Sequence, residues 1–298
     1  MKWPLLMGAM FTAELIAGDP REVSGRVVDA QTGKPIVRAR VNVQAGGFTI
    51  SPAVLTDNEG NFRLVNLPDG VVTLIAERVG YLEGLPMTAR PSVTLELTRQ
   101  AAIHGVVSGE KDAGVGNASV VALRPAEGQE GRTRAADANA DETGEFRVAG
   151  LKAGRYQVAA IDQGGQAPRG TAYAIGYFPD VTDVGEAKWI DLEPGQDVEI
   201  RVRLKVKPSY EIRGRVVPPS KDPNVSVHMA GDDQLAPRYS LEWVVQGESF
   251  RISGLAPGSY VLKAQVFDNG GWLNAEQSVV ISDSNPNEAV LELRRTQR

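Results

Sequence analysis

One motif is written three times along this chain, and a repeat of that length leaves few folds open to it. The copies start at Phe62, Phe146 and Phe250, and each reads F-R-[LVI]-x2-L-x2-G-x-[VY]-x-[LV]-x-A with identical internal spacing. Upstream of each lies a matching first strand, Val23–Val28, Ile103–Val107 and Ile212–Val217, and each carries a glycine (Gly25, Gly105, Gly214). Downstream lies an alternating last strand, Val93–Leu97, Val198–Leu204 and Ala289–Leu293. Period-two alternation turns Phe62, Phe146, Phe250 and the aliphatic two positions on toward one face, with Arg63, Arg147 and Arg251 on the other. The L-x2-G step is a tight turn, helped by Pro68 and Pro257. Its leucine should fold back over the end of a sandwich. No stretch keeps a helical period. The 32 glycines, 18 prolines and 6% aromatic content agree, because they favour many short strands joined by turns.

The repeats divide the chain at 20–99, 100–207 and 208–296, each about the size of one β-sandwich. The expected fold is all-β, three tandem seven-stranded sandwiches of transthyretin-like or immunoglobulin-like type, joined by the short links 98–100 and 205–209 into a semi-rigid string. Residues 1–18 read as an export leader, with Lys2 before the apolar run Trp3–Ala13 and small residues at Ala13, Ala17 and Gly18. Glu14 interrupts that pattern. No later apolar run is long enough to span a bilayer as a helix. A secreted or periplasmic location is therefore expected.

The opening of the first repeat, Val23 to Val41 with Asp29, Thr32, Gly33 and Pro35 in a D-x2-T-G-x-P turn, resembles carboxypeptidase regulatory-like domains. So does Thr56-Asp57-Asn58-Glu59-Gly60-Asn61-Phe62. The second and third repeats lack the D-x2-T-G-x-P segment and rest on the later anchors. The resemblance implies a seven-stranded, transthyretin-like sandwich. Such domains accompany zinc peptidase domains in metallocarboxypeptidases, recur in tandem in exported bacterial proteins, and are grouped by fold with carbohydrate-binding modules.

Chemistry is sparse. Zero cysteines remove disulfides and thiolate catalysis, and a net charge of −5 argues against a nucleic-acid partner. The two histidines, His104 and His228, are not followed by the H-x-x-E pattern of a zinc peptidase, and both sit at outward strand positions. Asp137-Ala138-Asn139-Ala140-Asp141 imitates a calcium loop, but Glu142 and Val148 stand where glycine and glutamate are needed, so a polar turn is expected. None of the three first strands holds a lysine for an isopeptide cross-link. No catalytic residue, metal site or cofactor is expected. The carboxylates Asp180 and Asp183 are the nearest approach to an acid/base pair.

The best candidate surface is an insertion in the second repeat that holds Tyr173, Tyr177, Phe178 and Trp189. Exposed, these rings would stack on sugars; buried, they would shield the sandwich. The function expected is a non-catalytic binding or scaffolding module with a protein or polysaccharide partner at the cell envelope. The alternative is a carbohydrate-binding protein using those four rings. Oligomeric state is left open.

Overall fold

The computed structural model describes residues 21–68, 70–128, 131–230, 235–268 and 271–295. The leader expected at 1–18 lies outside them. The chain divides into two compact units, residues 1–99 and 100–298.

In the first unit a three-stranded sheet has Arg21–Asp29 at its centre, antiparallel to Asn61–Leu67 and parallel to Ser92–Leu97. A four-stranded sheet runs Phe48–Leu55, Arg40–Ala45, Val72–Glu77, Met87–Thr88. Inward residues of both meet in one core that includes Val27, Val41, Phe62, Leu74 and Leu95.

The second unit repeats this plan twice. Ala101–Ser108 lies between Glu145–Leu151 and parallel Asp197–Arg203, and its sheet shares a core with one built on Ala118–Pro125 and Gly154–Asp162. Tyr210–Val217 lies between Ser249–Leu255 and parallel Ala289–Glu292, and that sheet shares a core with one built on Gly258–Asp268 and Gly271–Ile281. The third sandwich departs from the others in one strand. Ser240–Val245 pairs with Ser249–Leu255 in the first sheet, where Phe48–Leu55 and Arg132–Asn139 pair within the second sheet of their sandwiches.

The repeated anchors have the roles that alternation assigns them. Phe62, Phe146 and Phe250 are buried. The arginines beside them face outward and pair with carboxylates: Arg63 with Glu22, Arg147 with Asp197, and Arg251 with Glu211 and Glu242. Leu151 and Leu255 are sealed in their cores, while Leu67 is half-buried against its own. The glycine of each first strand stands directly opposite the phenylalanine, Gly25 to Phe62, Gly105 to Phe146 and Gly214 to Phe250. A Cβ on Gly25 or Gly214 would overlap the ring across from it, so the ring packs on bare backbone. At the following turn the Tyr156 hydroxyl donates to the Lys152 carbonyl (2.8 Å) and the Tyr260 hydroxyl to the Ala256 carbonyl (2.5 Å). Val72 holds that position in the first sandwich and has no such bond to make.

Candidate functional site

The insertion of the second sandwich is the segment that the repeat does not explain. Its strand Thr171–Tyr173 pairs antiparallel with Val206–Pro208, the link into the third sandwich. Two further backbone bonds hold the same junction, Ala174 N–H to the Lys205 carbonyl (3.0 Å) and Ser209 N–H to the Gly170 carbonyl (3.1 Å). Gly176–Tyr177 then joins the edge of Gly154–Asp162, with Tyr177 opposite Ala159. The Phe178–Pro179 peptide is cis.

What lies under this insertion explains why it is needed. Pairing register puts Val121, Leu123, Ala159 and Ile161 on the outer face of their sheet, away from the main core. An apolar outer face in water is unfavourable at about 25 cal/mol per Å² of exposed apolar surface. The insertion lays Ile175, Tyr177 and Ala187 across it, and Leu235, from a loop of the third sandwich, completes a cluster in which it is fully buried. Gln157 is buried on the same face with both amide atoms bonded: Nε2 donates to the Ala187 carbonyl (2.8 Å) and Oε1 accepts from Arg132 (2.5 Å). Arg238 adds a polar tie by donating to the Gln163 carbonyl (2.7 Å).

The four candidate rings go to different places. Tyr177 is 2% exposed within this second cluster. Tyr173 and Phe178 are half-buried against the main core of the second sandwich. Trp189 is half-buried with the Arg155 guanidinium 5.2 Å from its ring centre. Beside Tyr173 and Arg238 lie a cavity of about 170 Å³, lined also by Asp162, Thr171 and Tyr239, and a groove of about 380 Å³ that reaches Asp183, Lys207 and Tyr260. Burial, then the charges of Asp162 and Glu110, raise the pKa of the Tyr173 phenol, so it stays a neutral hydrogen-bonding group there.

The carboxylates are committed to structure. Asp180 accepts from the Arg203 amide (2.9 Å) and Asp183 from the Gly185 amide (2.8 Å). Asp141 accepts from the Thr143 and Glu145 amides, and Asp57 makes the equivalent turn with Glu59 and Asn61. The calcium-like sequence is therefore the end of the strand Arg132–Asn139 and the turn that follows it. His228 is half-buried and shares a 3.1 Å hydrogen bond with the Ser226 hydroxyl. Among the described residues no three His, Asp or Glu side chains gather as a metal site would require. No helix among them is long and apolar enough to cross a membrane.

In the first unit, the D-x2-T-G-x-P turn is organised by Asp29, which is buried. One carboxylate oxygen accepts from the Gln31 and Thr32 amides and the Thr32 hydroxyl, and the other from Tyr81 and from Arg99 at 2.7 Å. Burial alone would push its pKa up, but Arg99 and the turn donors hold it well below the usual carboxylate range. The turn motif thus ties the end of the first strand to the residues that leave the sandwich.

Residues 22–100 match the carboxypeptidase regulatory-like domain. The Asp29 turn and the Asp57 turn fall within that domain. Over the longer chain, the Bacillus anthracis TIE protein is similar at 16% identity, with 93% of this chain and 51% of that one covered and a TM-score of 0.29. This chain thus spans about half the length of that protein. Shaft pilin SpaA from Lactobacillus rhamnosus GG is similar at 13% identity over 62% of this chain and 97% of that one, with a TM-score of 0.33. GBS52, the minor pilin of Streptococcus agalactiae, is similar at 14% identity over 63% and 96%, with a TM-score of 0.32. No curated protein matches the chain.

Sequence reasoning singled out the insertion but not its counterparts in the third sandwich, Leu235 and Arg238. The signal available was an isolated leucine within a polar run, Asp232-Asp233-Gln234-Leu235-Ala236, and it gives no clue to which surface receives it. Arg99 and Tyr81 were missed likewise, because both lie far along the chain from Asp29.

Proposed function

We propose that this chain is a non-catalytic β-sandwich protein of three repeats, 20–99, 100–207 and 208–296, that serves as a binding or scaffolding module at the cell envelope. The observation that carries this reading is the use made of the insertion. The most aromatic segment of the chain is spent on joining the second and third sandwiches into one body, as a scaffold requires, and its acidic residues cap backbone amides. The envelope part rests on the leader-like residues 1–18.

Limited proteolysis of the full chain tests the scaffold. A fragment from near residue 100 to the end should resist digestion as one piece, and Leu235→Asp should open cleavage at 205–209 and within the insertion. Cleavage of the parent at 205–209 as fast as in that variant would sink it. Fractionating cells that express the full chain tests the location, with an exported product lacking residues 1–18 expected.

The carbohydrate reading on the original four rings keeps support from Tyr173, Phe178 and Trp189, which are half-buried and retain some open surface. Trp189→Ala tests it: glycan retention lost with the fold intact supports these rings as a sugar platform, and unchanged retention removes them.

A further inference from the structure

The outer face of the second sheet in the third sandwich differs in kind from the covered face described above. Its composition follows from register. Phe267 pairs with Trp272, Gln265 with Asn274, Lys263 with Glu276 and Val261 with Ser278 across the Gly258–Asp268 and Gly271–Ile281 hairpin. Gln265 also pairs with Asn224, and Lys263 with Ser226, on the strand Asn224–Met229. Cross-strand partners project to the same side, and the inward set of this hairpin is Tyr260, Leu262, Ala264 and Val266. The outward set is therefore a mainly polar surface of amides, hydroxyls, His228 and the Lys263–Glu276 pair, interrupted by Val261 and Val280, with an aromatic pair at its end.

That pair is open to solvent. Phe267 is 69% exposed and Trp272 57% exposed, and they meet edge to face at 5.3 Å between ring centres. An edge-to-face pair fixes both rings while covering at most one face of either. Rings held this way lose little further freedom on binding. The charges on this surface are balanced locally. Lys263 stands opposite Glu276, and Arg294, which stands opposite Asn274, donates to Glu292 at 2.7 Å. A surface with no net charge to offer does not select an anionic lipid or phosphate, and one with the Lys263–Glu276 pair at its middle lacks the apolar centre of a protein interface.

We infer that this face binds a neutral polysaccharide, with Trp272 and Phe267 stacking on the apolar C–H face of a sugar ring and Gln265, Asn274 and Asn224 bonding to hydroxyls. Amides suit that task because each offers both donors and an acceptor, as adjacent hydroxyls require. Side chains two residues apart on a strand stand about 7 Å apart, so the aromatic pair and the amide row address successive parts of one extended chain. This inference rests on the reading of the molecule as a binding module and names its ligand class.

The test is native affinity electrophoresis of the full chain in gels holding soluble β-1,3-glucan, xyloglucan, galactomannan or dextran, with depletion on cellulose and chitin, and alginate as the charged control. The variants are Trp272→Ala and the double variant Gln265→Ala, Asn274→Ala. Phe48→Ala, an equally exposed ring of the first sandwich, is the control. The expected result is retardation by at least one neutral glycan, weakened about tenfold by Trp272→Ala and by the amide double variant, unchanged by Phe48→Ala, with the melting temperature unaltered. Binding that survives Trp272→Ala overturns this face and leaves the binding-module reading in place. Retardation by alginate alone, or by no glycan, overturns the neutral-polysaccharide ligand. The proteolysis experiment above reports on the scaffold independently of either.

Discussion

The second and third sandwiches present the same sheet to opposite fates. In the second, the outer face holds Val121, Leu123, Ala159 and Ile161 and is sealed by the insertion and Leu235. In the third, the outward positions on the matching strands are Asn224, Ser226, His228, Lys263 and Gln265, which keep contact with water, and Val261, which is buried beside His228. The inner faces are alike, because both must fill a core between two sheets. The outer face is free to vary, and whether it is apolar decides whether the chain must supply a cover. A repeat therefore specifies a core and leaves its second face available for a different use in each copy.

The largest expected effect lies on the covered face. Tyr177→Ala should cost about 3–5 kcal/mol in denaturant unfolding of the full chain, and Leu235→Ala about 2–5 kcal/mol, since each leaves a cavity among packed side chains. Trp272→Ala, on the open face, should stay within about 0.5 kcal/mol. Equal losses on the two faces would erase the distinction.

Next comes the first sandwich, which has no such insertion and closes its end through Asp29. Asp29→Asn should cost roughly 2–3 kcal/mol, because it weakens several bonds to a charged acceptor. The folded pKa of Asp29 lies below its unfolded value near 3.9. Its contribution is therefore complete above that value and is lost as the pH falls through the folded pKa. Acid titration of the parent should show this loss, and the Asn variant should lack it.

A smaller effect separates the sandwiches at the turn after the repeated leucine. Tyr260→Phe should cost about 1 kcal/mol, and Tyr156→Phe a similar amount, by removing the bond across that turn. Burial pushes the Tyr260 phenol up to about 12, so the folded protein holds this proton more tightly than the unfolded chain does. Stability should then hold steady up to about pH 10 and fall between there and pH 12, a decline that Tyr260→Phe reduces. An unchanged alkaline profile in the variant would assign the decline to other groups.

Much of the fold was legible in advance because it depends on local alternation. Phe62, Phe146 and Phe250 point inward wherever their strands lie, and the turn chemistry of Asp57 and Asp141 needs only neighbours within a few residues. The glycine of each first strand was visible as a recurrence, but its reason was not. That reason is the ring opposite, about 40 residues away, at Gly25 and Gly214, and the Ile200 backbone of the last strand at Gly105. The parallel pairing of first and last strands was hidden in the same way, since alternation reads equally well in either direction. The strand Ser240–Val245 joins the other sheet for reasons that no local pattern carries.

The candidate site divides along the same line. The insertion could be recognised from its aromatic content, whereas Phe267, Gln265, Trp272 and Asn274 became one outward set only through the pairing of their strands. Sequence by itself determined an all-β repeat protein, its inward residues and its polar turns, because those follow from the period of a strand and the φ preferences of a few residues. Only the tertiary structure decided that Tyr177 is buried while Trp272 is open. The two rings differ in what lies across from them, and contacts between residues tens of positions apart are set by packing and leave no trace in spacing.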